Sequence, residues 1–281
     1  MPLCKRALVN VGVFPIRDHY YEPLFNDRHI RRPLSDDRVL PGVDWNLEEQ
    51  LEVLNSFSFT EELRDIPLTK REDLVFYMNN GTFESGDAEY LYQLIRRKKP
   101  ERIFEVGSGH STLIAIKAIR KNEAEEEGYK CRHVCIEPYE NPWLEKAGIS
   151  VIRRKVEDVG ADFFRELDED DILFIDSSHM IRPQGDVLFE YLEVLPVLKK
   201  GVTVHVHDIF SPKDYPGTWI REEHRFWNEQ YLLEAFLISN RDWKIVGALN
   251  YLHHHHYELL QAKCPYLIPD REPGSFYLQK I

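Results

Sequence analysis

From Gly86 onward, short apolar runs and longer amphipathic stretches take turns along the chain. The first stretch, Asp87 to Arg96, repeats apolar residues at helical spacing behind an acidic first turn and predicts a helix that Pro100 ends. Runs short enough to be buried strands follow at Arg102 to Val106, His133 to Glu137, Ser150 to Arg154, Asp171 to Asp176 and Gly201 to Asp208. Between them, helices are expected over Ser111 to Lys121, Pro142 to Ala147, Ala161 to Leu167 and Val187 to Lys199. Such alternation implies a parallel sheet with helices on both faces. The rhythm then changes to a long helix around Arg221 to Ser239, a strand at Trp243 to Val246, a helix at Asn250 to Ala262 and a last strand at Ser275 to Gln279, seven strands in all.

Residues 1–82 lack this rhythm and are rich in Pro, Asp, Arg and aromatics, with one helix expected near Trp45 to Phe57. They read as an N-terminal extension or cap on a domain spanning 83–281. The chain of 281 residues with 43% hydrophobic content is long enough for a real core. Its net charge of −12 has no concentrated basic face, which argues against nucleic acid as a partner. The early apolar run Ala7 to Phe14 is interrupted by Asn10 and closed by Pro15, too short for a membrane span or signal peptide, so a cytoplasmic protein is expected. Cys4, Cys131, Cys135 and Cys264 form no C-x-x-C pair, and buried free thiols are expected rather than a zinc site. The run His253 to His256 lies within an amphipathic stretch and reads as a helix face.

The candidate chemistry starts at Glu105-Val-Gly-Ser-Gly-His-Ser111, a strand running into a glycine turn and then a helix. Gly107 and Gly109 allow a tight turn and close approach of backbone to a nucleotide-type ligand. Thr112 stands where the third glycine of a dinucleotide fingerprint is expected, so the pyrophosphate cradle is incomplete. Glu137, Asp176 and Asp208 close three of the expected parallel strands, with Glu105 near the end of another, and ligands of open parallel sheets bind at that edge. Glu137 is placed to accept both hydroxyls of a ribose.

Together with Cys135-Ile-Glu-Pro-Tyr139, Asp171-Ile-Leu-Phe-Ile-Asp-Ser-Ser-His179 and Val204-His-Val-His-Asp-Ile-Phe210, this turn resembles the class I S-adenosylmethionine-dependent methyltransferases. More narrowly, the chain is similar to a bacterial family often found beside polysaccharide and natural-product genes. The resemblance covers residue 83 to the C-terminus. It implies an α/β, Rossmann-like, seven-stranded and mostly parallel sheet with an antiparallel last strand. It also implies S-adenosylmethionine (SAM) as cofactor, with Glu105, Gly107, Ser108, Gly109 and Ser111 around its methionine part, Glu137 on the ribose, and Val156 and Glu157 beside the adenine. Ser85 is a further cofactor candidate, although a helix N-cap explains it equally well.

Transfer of a methyl group to a hydroxyl needs alignment and a group that takes up the proton. His179, His207 and Asp176 are the candidates, while alternation makes His205 a buried structural histidine. In the catechol-type branch of the superfamily a divalent cation such as Mg2+ binds where Asp176 and Asp208 stand, but Ile209 replaces the asparagine expected after the second aspartate. The loop from Asp208 to Trp219 is expected to line the pocket of a small-molecule hydroxyl acceptor, a sugar or glycoconjugate precursor in the first instance. Asp18 to Glu22 and His29 to Arg32 suit either closure over that pocket or a homo-oligomer contact. Two alternatives share the scaffold: a catalytically silent relative, and a metal-dependent oxygenase related to cephalosporin hydroxylase.

Overall fold

A computed structural model of the protein describes residues 7, 8, 11–16, 19 and 22–281. Cys4, Asp18, Tyr20 and Tyr21, singled out above, lie outside them. The chain divides into two compact units, one made of residues 38–212 and 227–281, the other of 1–37 and 213–226.

The larger unit carries the sheet. Its strands are β1 (Arg102–Val106), β2 (Arg132–Ile136), β3 (Ser150–Ile152), β4 (Ile172–Ile175), β5 (Thr203–Val206), β6 (Trp243–Ala248) and β7 (Phe276–Lys280). They lie in the order β3-β2-β1-β4-β5-β7-β6. The first five pair in parallel and β7 is antiparallel to both neighbours, so the seven-stranded Rossmann-like sheet is as expected. Burial on both faces explains why the parallel strands read as unbroken apolar runs. Ile103, Ile172 and Phe174 face one core with the helices α2 (Asp87–Lys98), α3 (His110–Glu125), α6 (Leu249–His255) and α7 (Tyr257–Lys263). Phe104, Val106, Leu173, Ile175, Val204 and Val206 face the other, against Val187, Phe189 and Leu195, and Leu233 of α5 (Glu229–Leu237).

Two expected helices are broken. His256 leaves helical geometry at φ −140°, ψ 39°, which separates α6 from α7. The stretch Arg221 to Ser239 is not one helix: α4 (Gly217–Arg221) ends where it begins, His224 takes the left-handed region at φ 57°, and only α5 lies within it. His253, His254 and His255 of the histidine run do occupy helix: His254 pairs with Glu272 at 2.8 Å, and His253 Nε2 meets the Pro269 carbonyl at 3.1 Å. Cys135 and Cys264 are buried free thiols and Cys131 is half-buried. Among the described residues no helix is long and apolar enough to cross a membrane.

The smaller unit is held by Phe25 against Phe226 at 5.0 Å, by Lys213 Nζ donating to the Ser35 carbonyl and to Asp37, and by the Arg225 guanidinium over the Trp219 ring.

Residues 38–82 build no separate core. Leu54 of α1 (Leu47–Asn55), Phe57, Leu63, Ile66, Phe76 and Met78 are all buried in the same cluster as α2 and α3. Arg96, buried on α2, fastens this segment: it reaches Glu62 at 2.8 Å, Glu125 at 2.5 Å and Asn122, and lies over the Phe59 ring. A buried guanidinium with two carboxylates and an amide leaves few donors unmet. Leu54→Ala is therefore expected to destabilise the whole domain by about 2–5 kcal/mol in urea unfolding, as a core deletion does. Unchanged stability would show that residues 38–82 are only an appendage.

Candidate active site

The C-terminal end of β1 is where the strand order reverses, with β2 on one side and β4 on the other, and crevices of open sheets form there. The turn leaving β1 is stitched to both neighbours: the Gly107 N–H donates to the Ile136 carbonyl at 3.1 Å, and the Asp176 N–H donates to the Val106 carbonyl at 2.8 Å. Gly107 sits at φ +77°, and a Cβ there would lie 1.9 Å from the Asp176 carbonyl oxygen. No other residue fits. Gly109 is extended, and a Cβ on it would come no nearer than 3.9 Å to Asn141, so a side chain there meets ordinary contact and no clash. Thr112, at the place of the missing glycine, ties the turn from below. Its hydroxyl meets the Gly109 N–H at 3.2 Å and donates to Glu105 Oε2 at 2.6 Å.

A cavity of about 1280 Å³ opens above this turn. Gly107, Ser108, Gly109, Ser111, Glu137, Val156, Glu157 and Asp176 all line it, so eight of the residues singled out in the sequence are brought together. Glu137 follows β2, and its Oε1 accepts the N–H groups of Tyr139 (2.9 Å) and Glu140 (3.0 Å). Both bonds fall on the same carboxylate oxygen, and the side chain borders the cavity. Glu105 and Ser85 do not line the cavity. Glu105 shares the face of β1 that carries Ile103, where it is fully buried and also accepts from the Cys135 thiol at 3.1 Å. Ser85 is not the cap of α2 either, because Gly86 is, with Glu89 accepting its N–H at 2.9 Å.

Several residues that shape the cavity were not found from sequence. Arg153 donates to the carbonyls of Glu137 and Asn141 and pairs with Glu145, which fixes the loop after β2. Asn141, in the left-handed region at φ 54°, donates to the Ser108 carbonyl at 2.6 Å and joins that loop to the glycine turn. An asparagine in a short loop is the usual non-glycine occupant of that region, which was the available signal. His110 Nδ1 meets the Thr82 hydroxyl at 2.8 Å.

Behind Asp176 lies a cluster of acids and imidazoles at the ends of β4 and β5. His179 Nε2 is 3.2 Å from Asp176 Oδ1 and 3.6 Å from Asp208 Oδ2, and its Nδ1 is 2.8 Å from Glu229 Oε2. His207 Nδ1 is 3.5 Å from Asp176 and 3.6 Å from Asp208, with Nε2 3.8 Å from Asp87. Both His179 and Asp208 hold positive φ, 57° and 59°, backbone strain of the kind that gathers at functional sites. Only Asp176 of this group lines the cavity, and its side chain is 32% exposed. Burial alone would raise the Asp176 pKa, but His207 and His179 outweigh it and hold the carboxyl well below the ordinary range. Burial would likewise lower both imidazoles, yet the carboxylates around them push His179 and His207 well above the usual value. Asp208 and Glu229 are raised, by burial first. Asp176, His179 and Asp208 each offer one ligand atom within 4.8 Å of the others, a donor set that fits a cation. His205 stands apart: its Nε2 meets the Ser275 hydroxyl at 2.8 Å, its ring stacks on Tyr277, and burial keeps its pKa well below normal.

The two glycines separate folding from binding. Gly107→Ala is expected to lower stability by roughly 3 kcal/mol through clash and left-handed strain, whereas Gly109→Ala stays within about 1 kcal/mol of wild type. Thermal melts of the two variants check this, and equal melts would contradict the assigned roles.

A family model described as a methyltransferase domain matches residues 104–209. A protein of Archaeoglobus fulgidus, described only as uncharacterized, is 34% identical over 171 residues, which cover 56% of this chain and 75% of the relative. Among solved structures, the O-methyltransferase TomG from Streptomyces achromogenes in complex with SAM is 16% identical and covers 82% of this chain and 89% of its own, at a TM-score of 0.39. An O-methyltransferase from Bacillus cereus in complex with S-adenosylhomocysteine (SAH) is 12% identical and covers 86% of this chain and 93% of its own, also at 0.39. Scores so low add nothing to what the strand order already shows. The domain match runs from β1 past the end of β5, through the glycine turn, Glu137 and the acids of β4 and β5, so this part of the chain is similar to a methyltransferase domain.

Proposed function

We propose that the protein transfers the methyl group of SAM to a hydroxyl oxygen of a small molecule. One observation carries this reading: a buried acid and imidazole cluster reaches the cofactor cavity through Asp176, beside the glycine turn. In the reading, Gly107, Ser108 and Ser111 receive the methionine part of SAM, Glu137 the ribose hydroxyls, and Val156 and Glu157 the adenine. The acceptor hydroxyl donates its hydrogen bond to Asp176. As the oxygen attacks the methyl carbon in line, the C–S bond breaks, its electron pair stays on sulfur to give SAH, and the acceptor's proton is taken up by the Asp176 carboxylate and released to solvent, while His179 and His207 hold that carboxylate in place. A divalent cation such as Mg2+, held by Asp176 and Asp208, would supply a lower pKa at the acceptor hydroxyl.

A sugar or glycoconjugate precursor is the acceptor class we favour. The cavity far exceeds what one nucleoside needs, and the mixed charged and polar side chains on its wall, among them Lys146, Glu140 and Gln184, suit an acceptor rich in hydroxyls.

The reading is tested first by calorimetry. SAH is expected to bind one site per chain, with Glu137→Ala weakening it ~10- to 100-fold, as loss of a hydrogen-bonded charged group does. Absence of SAH binding would remove the proposal. With a panel of sugar nucleotides and phenolic alcohols as acceptors, Asp176→Asn is expected to cut methyl transfer by about 100-fold or more while SAH still binds. Undiminished turnover in Asp176→Asn would place the chemistry elsewhere.

A further inference from the structure

We infer that His179 and His207 are metal ligands alongside Asp176 and Asp208, so that the cluster selects a divalent transition ion such as Fe2+, Co2+ or Zn2+ over Mg2+. This rests on the proposal that a cation sits at this strand edge, and adds which ion and which residues. The geometry comes from four distances. Each histidine turns one ring nitrogen toward both aspartates, at 3.2 and 3.6 Å for His179 and at 3.5 and 3.6 Å for His207. Asp176, His179 and Asp208 each offer one ligand atom within 4.8 Å of the others, and His207 approaches the same two aspartates from the neighbouring strand, so an ion would draw these four side chains together. His207 is only 5% exposed, and its Nδ1 points into the cluster, with the two aspartates as its neighbours.

The other ring nitrogens carry the second support. His179 Nδ1 faces Glu229, which is completely buried, and His207 Nε2 faces Asp87, whose Oδ1 is fixed by the N–H groups of Gly274 and Ser275. A carboxylate behind each imidazole holds the far N–H, so that a metal displacing the proton on the near nitrogen would meet a ring already oriented toward it. Trp227, with its ring centroid 4.3 Å from that of His179, limits rotation of the imidazole. Charge points the same way. Asp87, Asp176, Asp208 and Glu229 bring four carboxylates together, and among the described residues no lysine or arginine pairs with any of them. With no metal bound, the two imidazoles are what offsets this charge, and an ion would take over that role as the imidazoles give up their second protons. Mg2+ favours oxygen ligands and keeps several waters, whereas a mixed imidazole and carboxylate set suits later divalent ions.

The test uses the full chain stripped of metal, titrated separately with CoCl2 and MgCl2 by calorimetry. Co2+ is expected to bind one site at least ~10-fold tighter than Mg2+ and to show visible d–d bands. His179→Gln and His207→Gln should each weaken Co2+ by about 10-fold or more, leaving Mg2+ and SAH binding within about twofold. Should a variant fail to fold, as loss of SAH binding would reveal, nitrogen hyperfine coupling to the ion bound by the wild-type protein decides the point. Equal affinity for the two ions, with no nitrogen coupling, overturns the inference and leaves an all-oxygen site standing. Binding of neither ion overturns it as well, and retained SAH binding then separates that result from failure of the methyltransferase reading.

Discussion

The backbone of Gly107 lies against the carbonyl of Asp176, too close for any side chain between them. That contact joins the ends of β1 and β4 across the switch point of the sheet. On one side it makes the glycine turn and the start of α3. On the other it sets the position of Asp176, the first acid of the cluster. The glycine turn and the acid cluster beside it are therefore one construction, since moving either strand end shifts both. The parallel registers of β1 with β2 and β4 propagate the same constraint to Glu137 and, through β5, to His207 and Asp208.

The cost of the arrangement is concentrated in the cluster. Charged groups are desolvated there, and two residues hold left-handed backbone. Such features persist only when the surroundings over-determine them. Here the surroundings include Asp87 at the start of α2, Glu229 at the start of α5 and the bend before β7. Residues far apart in sequence converge behind a single exposed carboxylate, which gives the cavity one polar contact with an otherwise buried store of charge.

Much of this was legible in the chain. Buried parallel strands announce themselves as short apolar runs, so the expected strands coincide with the observed ones to within a few residues. Glycines at strand ends and acids that follow apolar runs mark the edge, hence Gly107, Glu137, Asp176 and Asp208. Glu105 shows the limit. Its neighbours Phe104 and Val106 face one core, and alternation turns Glu105 toward the other, under Thr112. Period-two reasoning could have found that, but the position of the acid in the motif drew attention instead. Glu229 and Asp87 could not have been found, because their roles depend on which helix N-terminus meets which strand end, a long-range fact that local pattern does not carry. The break in Arg221 to Ser239 was hidden for a similar reason: periodicity continues through His224, while the backbone does not.

The central claim is that a single sheet edge holds the methyl donor and, beside it, an ion-binding cluster built from Asp176, His179, His207 and Asp208. Crystals grown with SAH and Co2+, with diffraction recorded at the cobalt absorption edge, test it most directly. The account predicts an anomalous peak enclosed by those four side chains, with the ribose of SAH on Glu137 in the same map. A cobalt peak elsewhere with those four side chains unliganded, or SAH bound away from Glu137, would contradict it.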